Sequence, residues 1–288
     1  MPAKLIEGEP IAEKIKAEVI EAVKAMPSPP HLASILASEN PGAKFYANSQ
    51  QKACEEVGIK FTRRDLPESS SQEDIASIID ELNADDSVTG ILLFMPVPEG
   101  VDGRALQQRI SPEKDVEGMT PANLGKLFYG DFSIAPCTAK SAVTLLKSTG
   151  IELKGKETVV VGHSEIVGKP TLVMLLESVM ESPTPTCCHI ATQDLAFHTK
   201  RADVLIVAVG KAGLITGEMI KPGAVVIDIG INRVKKKGEK KARIVGDVDF
   251  DSAKEVAGMI TPVPGGVGAV TTAILLQNTV TLAGRRWK

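Results

Sequence analysis

Residues 159–170, VVVGHSEIVGKP, constrain this chain more than any other stretch. Val159, Val160 and Val161 run into Gly162, and an apolar run over 171–180 follows. β-Branched side chains lose freedom in a helix and pack well on a pleated surface, so the pattern predicts strand, tight turn, helix. Such a turn aims backbone N–H groups at the space before a helix, where a phosphate or pyrophosphate sits. The usual dinucleotide fingerprint is Gly-x-Gly-x-x-Gly. Here Ser164 holds the second glycine's place and Gly168 comes one residue late. A hydroxyl can still bond a phosphate oxygen. On spacing alone, a nucleotide site and a plain βα turn both stand.

The same alternation runs through the whole chain. Apolar residues Ile11, Ile15, Val19 and Val23 give a helical stripe over 10–25, with proline near its start. Short strands are expected at 31–38, 59–65 and 88–95, with helices to about residue 57 and over 72–82 between them. Further helices are expected near 102–109, over 121–129 and from Pro136-Cys137-Thr138, where Thr138 is the expected cap, to about 148. The second half repeats the pattern, with strands at 186–190, 203–209 and 224–229. Gly210 and Gly230 follow the last two, where a doubly wound sheet leaves its crevice. Strands alternating with helices mean parallel sheets with crossovers, hence an α/β fold. The lysine run 235–241 reads as a solvated hairpin tip or a phosphate patch. A final helix over 270–282 follows a glycine-opened loop.

Length allows two domains: 288 residues at 43% hydrophobic and 24% charged content suit an ordinary soluble protein. The net charge of -3 does not favour nucleic acid. No apolar run reaches the roughly 18 residues of a membrane span, and residues 1–9 lack the apolar core of a signal peptide. A cytoplasmic protein, without membrane or nucleic-acid partners, is the expectation. Four scattered cysteines and four scattered histidines give no disulfide framework and no metal-ligand spacing. Cys187 and Cys188 are expected in or beside a strand.

Several runs, in order, resemble the methylenetetrahydrofolate dehydrogenase/cyclohydrolase family: KACEEVG (52–58), DLP (65–67), KDV (114–116), PCT (136–138), the turn 162–170, DIGIN (228–232), VGDV (245–248) and TPVPGGVG (261–268). The resemblance implies two α/β domains around a cleft. The catalytic/folate domain would be 1–136, completed by a C-terminal helix 270–288. A Rossmann-like NAD(P)-binding domain would be 137–269. It implies a homodimer, a tetrahydrofolate derivative as substrate, and oxidation of the 5,10-methylene compound followed by hydrolysis of the methenyl product to 10-formyltetrahydrofolate. Carried over by position, folate would meet Tyr46, Phe94, Pro96, Glu117, Pro262 and Gly265. The cofactor would meet Gly162, His163, Ser164, Val167, Gly168, Gly210, Ile231 and Thr271.

The chain departs from the family pattern where folate is expected. The family assigns proton management to the lysine of a Tyr-x-x-x-Lys motif; here Tyr46 keeps the tyrosine and Gln50 replaces the lysine. A carboxamide orients water but does not act as its base. Losing a positioned acid/base group costs roughly 10²–10⁴ in rate. Lys52 is two residues round the helix and is not expected to substitute. Phe94 replaces a glutamine that partners the lysine, or is a plain core residue. Glu117 replaces an aspartate at the pteridine's amino end. Ala139, Ala269 and Val270 replace proline, proline and methionine. With the cofactor turn kept, six changes around one cavity read as coordinated. The expected chemistry is a dehydrogenase with weak or absent cyclohydrolase. The rivals are the full bifunctional enzyme, a dehydrogenase of another substrate, and a nucleotide-binding pseudoenzyme. His163 replaces the family's basic residue, and HIAT (189–192) lacks an arginine or lysine for the NADP 2′-phosphate, which tilts the expected cofactor to NAD.

Overall fold

The computed structural model describes residues 2–235 and 242–286. The chain forms two compact units: Glu13–Ala135 with Thr272–Lys288, and Met1–Ala12 with Pro136–Thr271. In chain order it runs β1 (Lys4–Leu5), α1 (Glu9–Lys24), β2 (His31–Leu36), α2 (Pro41–Glu56), β3 (Lys60–Asp65), α3 (Gln72–Ala84), β4 (Gly90–Leu93), α4 (Gly103–Arg109), α5 (Pro121–Phe128) and α6 (Cys137–Ser148). It continues through β5 (Glu157–Val161), α7 (Gly168–Leu175), β6 (Thr184–Cys188), α8 (Leu195–Thr199), β7 (Val204–Val207), β8 (Val225–Asp228), β9 (Asn232–Val234), β10 (Arg243–Val245), α9 (Phe250–Ala253), β11 (Met259–Ile260) and α10 (Val267–Arg286).

The unit containing Glu13–Ala135 holds a parallel sheet in the order β3-β2-β4. Every residue of β2 is buried, as a central strand covered on both faces requires. Asn40 starts α2, accepting from the N–H groups of Gly42 (2.8 Å) and Ala43, with Pro41 supplying a preset first turn. The buried stripe of α2 is Ala43, Ala47, Gln50, Ala53 and Cys54, so helical spacing carries Gln50 inward among small apolar residues. A Ser71–Asp74 capping box starts α3. Its last turn is closed by Lys114, whose ammonium donates to the carbonyls of Leu82 (2.8 Å), Asn83 (2.8 Å) and Asp85 (2.7 Å). The lysine of the KDV run therefore binds a helix terminus. Asn278 of α10 donates to the carbonyls of Val116 (2.9 Å) and Ala135 (3.3 Å), which ties the C-terminal helix to this unit.

The other unit holds a six-stranded sheet, β1-β11-β8-β7-β5-β6, with parallel pairing throughout. Its core is built from Val159, Val161, Leu205, Val207, Val226 and Ile260. The N-terminal residues belong here, contrary to the expected 1–136 domain: Lys4 and Leu5 pair with Met259 and Ile260. A two-residue edge strand has no periodicity to read. Three local expectations also change. The helix after the glycine turn stops at Leu175, short of 180; Ser178 Oγ then accepts from the N–H groups of Met180 and Glu181, turning the chain. Pro136, not Thr138, precedes α6, and Thr138 lies inside that helix. The second strand begins at Thr184. Cys188 is buried in it and Cys187 is exposed. β9 and β10 form an antiparallel pair; residues 236–241 of the lysine run lie outside the described residues. Helix α10 is, over Val267–Arg285, long and apolar enough to cross a membrane, contrary to the expectation that no run reaches that length; over half of its apolar window is buried within the protein.

Candidate active site

Two of the expected folate residues, Tyr46 and Phe94, meet Gln50 in the unit built on β2. Gln50 is fully buried, and its Nε2 donates to Tyr46 Oη at 2.9 Å, one turn earlier on α2. Tyr46 is 43% exposed, so its ring covers the carboxamide from outside. Phe94 leaves the end of β4 with its N–H bonded to Ile35 O (2.9 Å), and its buried ring meets Tyr46 edge-on at 5.8 Å. Gln50 Oε1 has no hydrogen-bond partner. An unpaired buried acceptor costs roughly 1–3 kcal/mol. The position of the family's lysine therefore holds a carboxamide, which does not exchange protons, beside a phenol and a phenyl ring. Lys52 is exposed on another face of α2.

Glu117 follows Asp115, whose Oδ2 accepts from Thr120 N–H (2.8 Å) and Asn123 Nδ2 (3.0 Å) and so holds the loop. Burial pushes the Glu117 carboxyl up to about 8, the neighbouring Asp115 adds to the rise, and a hydrogen bond with Gln107 opposes it. Pro96, after a cis bond from Met95, is exposed.

The glycine turn of the other unit admits no substitute at two positions. Gly162 has φ +118°, and a Cβ there would meet Ala208 O at 2.1 Å. A Cβ at Gly168 would meet Gly162 O at 2.0 Å. This close approach of backbone to backbone fixes the turn from β5 into α7. Ser164 Oγ accepts from Val167 N–H (3.1 Å), closing the turn in place of the missing second glycine. His163 lies over His189, ring centroids 4.8 Å apart and planes tilted by 31°. Gly210 has φ +68°. Its N–H and that of Val209 donate to the buried Asp247 Oδ2, at 2.9 and 2.6 Å.

Asp247 forms a network with Asp228. Asp228 accepts from the N–H groups of Gly230, Asp247 and Val248, each at 3.0 Å. Burial raises its carboxyl to about 6 in spite of those three donors. Asn232 Nδ2 donates to Asp247 Oδ1 (2.8 Å). Two carboxylates thus organise the loops after β7 and β8, where a doubly wound sheet binds its ligand. Ile231, Pro262 and Gly265 line one cavity of about 200 Å³ beside this network. Thr271 Oγ1 donates to Val267 O (3.0 Å), inside the first turn of α10.

A family profile for the NAD(P)-binding domain of tetrahydrofolate dehydrogenase/cyclohydrolase matches residues 136–287, and that for the catalytic domain matches residues 6–117. The chain belongs to this family. It is 50% identical to Bifunctional protein FolD of Moorella thermoacetica over 288 residues, covering 99% of this chain and 100% of the relative. Among solved structures, it resembles the bifunctional FolD methylenetetrahydrofolate dehydrogenase/cyclohydrolase of Campylobacter jejuni, with TM-score 0.92, 41% identity and 99% of both chains covered. It also resembles the Trypanosoma brucei enzyme complexed with NADP cofactor and inhibitor, with TM-score 0.93, 34% identity, and 100% of this chain and 99% of that one covered.

The glycine turn lies among the residues matched by the NAD(P)-binding profile, and the α2–β4 cluster among those matched by the catalytic-domain profile. The Asp228–Asp247 network, the Gln107–Glu117 contact and the His163–His189 stack were not singled out in the sequence. Both aspartates stand in the matching runs DIGIN and VGDV. A glycine flanking each, Gly230 and Gly246, has no room for a Cβ against the other's carboxylate, and that signal was available. Gln107 and the stack carried none.

Proposed function

We propose that this enzyme oxidises 5,10-methylenetetrahydrofolate to the 5,10-methenyl compound with NAD(P), and that its cyclohydrolase step is weak or lost. One observation carries the reading: the family's lysine position holds a carboxamide that is fully buried, bonded to Tyr46 Oη and flanked by Phe94. Removing hydride from the methylene carbon leaves a cation shared by N5 and N10, and no proton moves. A nicotinamide cofactor held at the glycine turn by Gly162, Ser164 and Gly168 would supply the redox chemistry by accepting that hydride. The chain's task is to bind and orient. Gly162 and Gly168 shape the phosphate cradle, Tyr46 offers a ring for stacking, and Gln50 holds Tyr46 by its hydroxyl. Hydrolysis of the methenyl cation needs water to lose a proton as it adds. Gln50 cannot take that proton, and Phe94 offers no polar route to another group.

NAD is the favoured cofactor, because His163 and HIAT (189–192) supply no permanent cation for a 2′-phosphate. A homodimer acting in the cytoplasm completes the reading. The bifunctional names of relatives near 50% identity favour a second reading, in which another group activates water. Spectroscopic assay of reduced-cofactor formation from methylenetetrahydrofolate tests the first. Turnover with stoichiometric methenyl accumulation is expected; no turnover with either cofactor refutes it.

A further inference from the structure

The N-terminal segment follows β11 toward the loop that leaves it. β1 runs beside β11, with Lys4 against Met259 and Leu5 against Ile260. The pairing continues past both strands: Ile6 N–H donates to Ile260 O at 2.9 Å, and Gly8 N–H donates to Gly265 O at 2.8 Å. Residues 261–266 connect β11 to α10 and belong to the TPVPGGVG run. Gly8 is thus where the start of the chain meets that loop. It is buried at the turn into α1, and its carbonyl accepts from Ala12 N–H at 2.9 Å.

The backbone of Gly8 would admit an ordinary residue, because its φ is not positive. The space around it would not. A Cβ at Gly8 would stand 2.0 Å from Gly266 O and 3.2 Å from Gly265 O. Carbon does not settle within 3.0 Å of such an atom, so any side chain must push the segment and the loop apart by roughly 1 Å. The loop has little slack to absorb that shift. Thr261 anchors its start: its N–H donates to Val226 O (3.1 Å), and its hydroxyl accepts from Asp228 N–H (2.7 Å). The loop is also folded closely on itself, since a Cβ at Gly266 would meet Pro262 O at 2.7 Å. A displaced Gly265 and Gly266 therefore carry Pro262 with them. These three residues, with Gly230 and Ile231, line the cavity of about 200 Å³.

We propose that Gly8 is a positioning residue for the reaction: by lacking a side chain it lets the N-terminal segment hold the 262–266 wall of this cavity where folate is oriented. Gly8 touches no reacting atom and acts through Gly265 and Gly266. The inference rests on the dehydrogenase reading above, with folate against Pro262 and Gly265. A misplacement of about 1 Å caused far from the chemistry costs up to roughly 10²-fold in rate.

Comparing Gly8→Ala with Gly258→Ala separates positioning from stability. Gly258 precedes β11 at its other end, and a Cβ there would meet Gly223 O at 2.6 Å, a backbone clash of the same kind away from the cavity. Both variants should lower Tm. Gly8→Ala should also lower kcat/KM for methylenetetrahydrofolate by roughly 10–10²-fold, with KM carrying most of the loss. Its Kd for NAD(P), and every constant of Gly258→Ala, should stay within about twofold of wild type. Amide hydrogen exchange on the wild-type chain gives an independent reading: the Gly8 N–H should be protected, and more so when methylenetetrahydrofolate is added without cofactor. Wild-type kcat/KM in Gly8→Ala, losses in both variants that follow Tm alone, or Gly8 exchange indifferent to folate would overturn the inference alone. Should Gly8→Ala not fold, the exchange measurement decides. A wild-type chain that oxidises methylenetetrahydrofolate with neither cofactor would overturn the dehydrogenase reading and this inference with it.

Discussion

Replacing Gln50 by methionine separates what the carboxamide does for the fold from what it does for the reaction. The side chain is fully buried, and Oε1 is unpaired. Methionine is similarly long and unbranched and fills irregular space, so little cavity opens. Removing the orphaned acceptor recovers roughly 1–3 kcal/mol. Losing the Nε2 bond to Tyr46 Oη costs roughly 0.5–1.5 kcal/mol, at the low end because Tyr46 is 43% exposed and its hydroxyl can turn to water. The balance is a gain of about 1 kcal/mol, or ~2–4 °C in Tm for a chain of this size. Freed from its tether, Tyr46 should hold folate less well: KM for methylenetetrahydrofolate rises several-fold while kcat changes little, the pattern of lost uniform binding. Thermal unfolding followed by circular dichroism, with steady-state kinetics on the same sample, measures both. A fall in Tm would refute the argument, because it would mean that Oε1 is paired in solution and that Gln50 is a structural residue.

Gln50→Lys combined with Phe94→Gln should raise methenyltetrahydrofolate hydrolysis by roughly 10²–10⁴, since burial favours the neutral amine that a base requires; an unchanged rate would show that the lesion extends beyond these two positions. Glu117 keeps its proton to about pH 8 when folded, against 4.5 for the free side chain. The native state therefore binds the extra proton in that window, and stability falls as pH rises through it. Glu117→Gln should leave urea stability near pH 4.5 unchanged and raise it by a few kcal/mol at most above pH 8. Lys114→Met should cost roughly 2–4 kcal/mol in the same assay, because three carbonyls at the end of α3 lose a charged donor.

The alternation of strands and helices was legible because buried parallel strands leave short apolar runs, and the glycine turn because backbone approaches backbone at Gly162 and Gly168. β1 and β11, two residues each, leave no period to detect. The early end of α7 turns on serine side chains that a helical pattern does not weigh. In the site, Gln50 stood out by replacing a lysine. Its tether to Tyr46 follows from i,i+4 spacing on one helix. The Asp228–Asp247 network and the His163–His189 stack join residues far apart in the chain, and only the fold brings each pair together.

Where the family places its acid/base group, this chain holds Gln50, a side chain unable to exchange protons. Hydrolysis of methenyltetrahydrofolate by the wild-type enzyme, measured against buffer alone near neutral pH, tests it most directly. A rate at or close to that of buffer is expected, alongside active oxidation of the methylene compound. Hydrolysis at a rate comparable to that oxidation would contradict it.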